Sequence, residues 1–342
     1  MGQLGFWDRE KREQKLDEKK PLLQRLNEVI PWQEFRPLLE RVNQRGTTSQ
    51  AGRKPTDVIL MFKLLVLQHL FNLSDDELEY QANDRVSFMK FLGLGIEDRI
   101  PDAKTVWLFR QQLTEQGSIE ALCEQFDSYL RQQGYEAKQG QIVDASLVPV
   151  PKQRNRRSEN QQLRNGEIPK HWSEHPRRRS QKDTEARWTK QNGESHFGYK
   201  NHINVDVEFG FTRRYQVTDA AVHDSQALPE ILDIDNQADA IWADSAYRSQ
   251  DAEWVLEPIG YDSQIHERAY RNFPLTEQQQ ESNREKSRTR AKVEHVFGDW
   301  VTSMGGKLVR SIGKMRVAAN IGLINLTYNF KRYVFWEYTA NA

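Results

Sequence analysis

The chain reads as a small all-helical domain followed by an α/β domain built on a mixed sheet. Three observations predict this. Apolar residues recur with a period of 3.6 up to about Gln132, the period changes to 2 at about Gln139, and beyond Ser225 helical and strand patterns alternate. The domains are expected at 1–135 and 136–342, with a basic insertion at 151–195 in the second. The 342 residues are enough for two or three domains. Lys+Arg and Asp+Glu both number 49, so only the distribution of charge can speak about partners. The single cysteine, Cys123, excludes an intrachain disulfide and metal sites built on several cysteines. The first twenty residues carry no apolar stretch and do not read as a secretory signal. The longest apolar run, Val58 to Phe71, is too short to span a bilayer and carries Lys63, Gln68 and His69. With a mean hydropathy of −0.83, the expectation is a soluble cytoplasmic protein without a membrane partner.

The helical domain takes shape as five capped helices. Val58–Leu70 is apolar on nearly every side, as a helix buried in a core should be. Ser74 and Glu77 have capping-box spacing and open a helix through Gln81. Asp84 is placed to cap the next, which presents Val86, Phe88, Met89, Phe91 and Leu92 inward and stops at Gly93. Pro101-Asp102 opens a helix carrying Val106, Trp107, Phe109, Arg110 and Leu113. Ser118 opens the last, which ends at Gly134.

Strand patterning begins with Gln141–Val148, where Asp144 shares a face with Ile142, Ser146 and Val148. A carboxylate in mid-strand is unusual. Between Pro151 and Lys190, twelve Lys/Arg stand against five Asp/Glu, a local charge of +7 with little apolar content. Such a run is expected to be disordered or loosely ordered when alone. Tyr199–Glu208 alternates again, and Glu208-Phe209-Gly210-Phe211 turns into a strand from Thr212 to Thr218. Then come a helix at Ser225–Leu232, a strand at Ala238–Ala243, a helix at Gln250–Leu256 and a strand near Asp262–His266. A basic helix at about Asn283–Val301 and a long apolar one at Arg316–Trp336 complete the order.

Three carboxylates fall at informative places in this order. Asp144 lies within the first strand, Asp244 ends a later one and Glu294 sits on the basic helix, at spacings of 100 and 50 residues. Ligand sites in open α/β sheets lie beyond the carboxyl ends of strands, which suits Asp244. Carboxylates converging from two strands and a helix would suit Mg²⁺, which takes oxygen ligands and serves in-line displacement at phosphorus. Taken singly, Asp244 could be a turn residue and Glu294 a surface partner of Arg290.

At this point a family resemblance is readable. Ile142-Val143-Asp144-Ala145-Ser146, Trp242-Ala243-Asp244-Ser245-Ala246-Tyr247 and Arg290-Ala291-Lys292-Val293-Glu294-His295-Val296-Phe297-Gly298 resemble the three acidic blocks of bacterial insertion-sequence DDE transposases, those of the IS-five group within the IS-four superfamily. Phe197-Gly198-Tyr199-Lys200-Asn201-His202, Thr218 to Ser225, Leu73 to Tyr80 and Pro101 to Arg110 are similar to further blocks of that group. The resemblance runs in order from about Pro55 to Phe297. It implies an RNase H-like catalytic domain in which Asp144, Asp244 and Glu294 are catalytic and bind two Mg²⁺ ions, for which Mn²⁺ can substitute. It also implies cleavage of double-stranded DNA at transposon inverted repeats, joining of the 3′-hydroxyl ends to target DNA, and a homo-oligomer, a dimer, in the synaptic complex. In related families a Tyr precedes the Arg by three residues and a Lys follows the Glu by seven. Here those positions hold Ser287 and Val301, so their phosphate contacts fall to Arg288, Lys292 or Lys307, or are absent.

Other residues are weighed on their chemistry. Arg290 either contacts phosphate or pairs with Glu294; the basic company of Arg284, Lys286, Arg288 and Lys292 favours phosphate. From Arg284 to Arg316 the local charge is +6, and this stripe, Arg177-Arg178-Arg179 and Lys200 form the candidate DNA-binding set. His202, His223 and His295 lack the i, i+4 spacing of a ligand pair and read as structural, with His223-Asp224 capping the helix at Ser225. Asp206 reads as a neighbour of the metal ligands or as a solvated edge residue. Trp172 and Trp188 read as platforms for unpaired bases and Trp242 as core. Two other readings use the same residues: a DNA-binding regulator of transposition that does not cleave, and a nuclease of the same fold that does not join.

Overall fold

The computed structural model describes residues 15, 18–44, 56–191, 193–249, 254, 256, 258, 260–270 and 273–340. They divide into two compact units: residues through Leu122 together with those from Thr327 onward, and Cys123–Leu326. The division at Leu122 falls within the helix Ser118–Gln132. The last helix is shared because its residues after Leu326 pack with the amino-terminal unit.

The first unit is helical: α1 Leu22–Val29, α2 Arg36–Glu40, α3 Val58–Phe71, α4 Asp75–Asp84, α5 Val86–Leu92 and α6 Ala103–Glu115, with 3₁₀ turns at Trp32–Phe35 and Arg41–Gln44. The elements before α3 escaped the sequence reading. Asp57 caps α3 by accepting from the Ile59 and Leu60 amides, and Asn72 ends it in the left-handed region. Buried almost all round, α3 meets an aromatic cluster in which Trp32 lies edge-on to Phe62, Phe91 and Phe330 at 6.0, 5.6 and 5.6 Å. Ser74 and Asp102 cap α4 and α6 as expected. Asp84 does not cap α5; α4 runs on through it, and Arg85 stands at the cap position without a side-chain bond. Trp107 on α6 is exposed, in contrast to Val106 and Phe109 beside it.

The second unit begins within helix α7, Ser118–Gln132. Its strands are β1 Gln141–Pro149, β2 Arg187–Gln191, β3 Glu194–Asp206, β4 Thr212–Asp219, β5 Ala240–Ala243 and β6 Asp262–Ile265. They form one mixed sheet in the order β2-β3-β1-β5-β6, with β4 also paired to β3. β1 runs antiparallel to β3 and parallel to β5, and β5 runs parallel to β6. One face carries Val143, Ile241, Ala243 and Ile265 against Leu228 and Ile231 of α11, Leu228–Ile231. Elsewhere Val148, Phe197, Tyr199 and Val217 pack with Val317 and Ile321 of the final helix.

Within the whole chain the basic insertion carries regular elements. It folds as α8 Arg157–Arg164, α9 Lys170–Ser173 and α10 Pro176–Arg179 before entering β2. Its core is small and polar at heart. Trp172 is fully buried, and Glu159, 3% exposed, accepts from its indole nitrogen at 3.1 Å and pairs with His171 at 2.8 Å. Trp172 is therefore no base platform. Asp183 ties the insertion to β3 through the Tyr199 hydroxyl at 2.8 Å.

The basic helix is likewise two helices, α12 Glu277–Arg290 and α13 Lys292–Thr302, broken at Ala291. The long final helix, α14, spans Lys314–Ala340. Among the described residues no single helix is long and apolar enough to cross a membrane. Much of the segment read as a helix from Gln250 to Leu256 lies outside the described residues.

Candidate active site

The sheet itself aligns two of the three carboxylates. In the parallel pairing of β1 with β5, Val143 lies opposite Ala243, so Asp144 is the next residue of β1 and Asp244 the residue that directly follows β5. Val143 and Ala243 both point into the core, and alternation turns Asp144 to the other face of the sheet. Glu294, in the first turn of α13, joins them there. Asp144, Asp244, Glu294 and Arg290 line one cleft of about 620 Å³.

The cleft is strongly polarised. Burial pushes the Asp144 carboxyl up to about 7. The Arg290 guanidinium and the Ala145 amide oppose that rise, while the Asp244 and Glu294 carboxylates add to it. Arg290 Nη1 donates to Asp144 Oδ2 at 2.9 Å, and its Nη2 lies 3.9 Å from Glu294. Its Nε is buried without a hydrogen-bond partner among the described residues. Asp244 Oδ1 accepts from the Ala246 amide at 2.8 Å, which fixes the turn after β5.

Both positions that depart from the family pattern are instructive. Val301 lines the cleft, and Lys307 reaches the same space, its Nζ bonded to Ser146 Oγ at 2.6 Å and 4.9 Å from the centre of the Phe297 ring. Burial lowers the Lys307 pKa against the pull of Glu294 and Asp144. Ser287 Oγ lies 3.3 Å from His266 Nε2 and donates to the Asn283 carbonyl, an anchoring role within α12. Ser146 was legible only as a companion of Asp144 on its strand face, and His266 carried no signal beyond its place after β6.

The donor set fits a hard divalent cation: three carboxylates face one cleft, and their crowding favours protonation of the deepest one. In this structure Arg290 supplies the positive charge beside Asp144. Among the described residues no three His, Cys, Asp or Glu side chains are drawn close enough to hold an ion. The Arg290 guanidinium occupies one Asp144 carboxylate oxygen.

The remaining candidates are dispersed. Arg177, Arg178 and Arg179 are exposed on α10, and Arg288 is exposed on α12. Lys292 donates to the Val207 carbonyl at 3.1 Å. Lys200 is held by Asp224 at 2.7 Å and by the Val222 carbonyl, an anchor for the turn after β4. Asp206 is neither near the carboxylates nor solvated: it is buried at the far end of β3, paired with Arg213 at 3.0 Å and accepting from the Phe209 and Phe211 amides. His223 accepts from the Ser225 amide as a cap, and His202 is buried against Thr218.

Comparison with known proteins places these features. Residues 135–330 match the family described as a transposase DDE domain, and residues 10–112 match that described as a transposase domain (DUF772). Among solved structures, the cryo-EM structure of a piggyBac transposase synaptic complex with hairpin DNA is similar at 12% identity. The match covers 92% of this chain and 73% of that one, with a TM-score of 0.41.

Proposed function

We propose, from the premise that the chain belongs to the transposase DDE-domain family, that it cleaves DNA at the terminal inverted repeats of an insertion sequence and joins the freed 3′-hydroxyl ends to target DNA. Its catalytic sheet is RNase H-like, with β1 central, antiparallel neighbours on one side and parallel ones on the other. The observation that carries the proposal is the convergence of Asp144, Asp244 and Glu294, far apart in sequence, on one cleft that also holds Arg290 and Lys307. A site for covalent catalysis would need an activated nucleophile; this one offers charge.

Asp144, Asp244 and Glu294 would hold two Mg²⁺ ions, for which Mn²⁺ can substitute. Bound there, the metal supplies charge neutralisation at phosphorus and activation of the attacking oxygen. The chain's own groups do the positioning. A DNA phosphate entering the cleft competes for Arg290, whose unpaired Nε then gains an acceptor, and Asp144 is released. Lys307 stands where a phosphate oxygen can replace the Ser146 hydroxyl, the contact for which Val301 has no donor. Partners are double-stranded DNA and, as the resemblance implies, a second copy of the chain at the paired ends. The test is a strand-transfer assay on a labelled end carrying the repeat that flanks the gene. Asp144→Asn is expected to abolish cleavage with end binding nearly intact, and retained cleavage would refute its role. Wild-type binding without cleavage in Mg²⁺ would favour the regulator; cut ends without joined product would favour the nuclease.

A further inference from the structure

A second cavity, about 500 Å³, lies in the same unit and shares the Phe197 side chain as wall with the carboxylate cleft. Its volume is in the range of small-ligand sites, roughly 300–1,000 Å³. Trp188 of β2 is cross-strand partner to Phe197 of β3, and the two rings pack at 5.2 Å with a 42° tilt. Phe197 is buried, whereas Trp188 is 36% exposed. One face of the indole is thus backed while the rest remains open, the form of a stacking platform.

The charge around this platform is unbalanced. Arg164 stands exposed at the end of α8. The Arg187 guanidinium donates to the carbonyls of Leu163, Thr184 and Ala186, so its charge is held in place without being neutralised by a carboxylate. Against these two cations the described wall residues set one carboxylate, Asp219, whose Oδ1 accepts from the Ala221 amide, and the His223 ring completes the titratable groups there. The Asn160 and Gln226 amides add donors and acceptors. An aromatic face, excess positive charge and amide edges together select a ligand with a flat ring, hydrogen-bonding edges and an anionic group.

Resting on the DNA-cleaving reading above, we propose that this cavity receives one unpaired nucleotide of the DNA in the neighbouring cleft, its base on Trp188 and its phosphate toward Arg164. A stacked base within a duplex cannot expose its face to the indole, so the nucleotide must be frayed or extruded. The experiment uses the full chain and two labelled DNAs, a blunt duplex and the same duplex with a three-nucleotide overhang carrying 2-aminopurine. The wild type is expected to bind the overhang DNA about tenfold more tightly than the blunt one, with a change in 2-aminopurine fluorescence. Trp188→Ala should abolish the preference and leave blunt-duplex affinity within about twofold, while Trp188→Phe retains most of it. Arg164→Gln, at an exposed site, should reduce the preference by itself, with an unaltered melting curve. Equal affinity of the wild type for both DNAs, or a preference that survives both Trp188→Ala and Arg164→Gln, overturns the proposal and leaves the transposase reading standing. Failure of the wild type to bind either DNA would bring down that reading and this one with it.

Discussion

A carboxylate within a buried strand destabilises the fold unless its charge is met, and Asp144 is met by Arg290 and the Ala145 amide. Further along the same β1–β3 ladder, the backbones leave little slack. Gly198 pairs with Pro149, and a Cβ there would stand 2.2 Å from the Val148 carbonyl oxygen at a φ of +155°. Gly198→Ala should therefore separate β1 from β3 beside the cleft and destabilise the protein by about 2 kcal/mol or more, read in denaturant unfolding. His202, in the same strand, adds a pH dependence. Burial lowers its pKa to about 4 against the pull of the Asp224 carboxylate. The unfolded chain, with His near 6.5, binds a proton that the folded chain refuses. Stability from this residue is thus fully present above about pH 6.5 and is lost as pH falls toward 4, by about 1.4 kcal/mol per unit. His202→Gln should flatten the unfolding profile in that window relative to the wild type; parallel profiles would refute the assignment.

Among the elements, the basic insertion is the one whose order hangs on few residues. Trp172 is its central buried ring, and Glu159 accepts from that indole, from His171 and from the Arg156 amide. Trp172→Ala should loosen 157–191 by about 3 kcal/mol or more, seen as faster amide exchange confined to that segment, with β1 and β5 still protected. The same core explains why the segment was illegible. Its stability comes from one aromatic ring and a satisfied carboxylate, which leave no apolar period behind. By contrast β1, the β3–β4 turn and β5 announced themselves by alternation and by the Gly210 turn, and β1 and β5 are the strands that carry Asp144 and lead into Asp244. The break at Ala291 between α12 and α13 carried no Pro or Gly, and only packing of Val293, Val296 and Phe297 shows it. The Arg290–Asp144 pair joins residues 146 apart and could not be read from i, i+4 spacing, which offered Glu294 instead.

For the molecule as a whole, a net charge of zero conceals local imbalance. Two acidic side chains of the helical unit are engaged within it: Asp75 pairs with Arg110 at 2.8 Å, and Glu79 accepts from the Ala103 amide. Arg177, Arg178 and Arg179 have no such cancellation, since the nearest carboxylate in an ion pair with them is Glu159, 3.9 Å from Arg178 and already bonded to His171 and Trp172. Three exposed guanidinium groups on one turn of helix are suited to phosphate, where each contact releases condensed counterions and steepens the salt dependence of binding by about 0.9. Replacing all three by Gln should lower the slope of log K against log salt by about 2 to 3, while Mg²⁺-dependent cleavage of bound DNA persists, because none of the three lines the carboxylate cleft. Their exposure makes a folding defect a poor explanation for such a change, and an unaltered melting curve would exclude it. A slope equal to the wild type's would show that α10 faces away from DNA and that the electrostatic footprint belongs to the Arg284–Arg316 stripe alone.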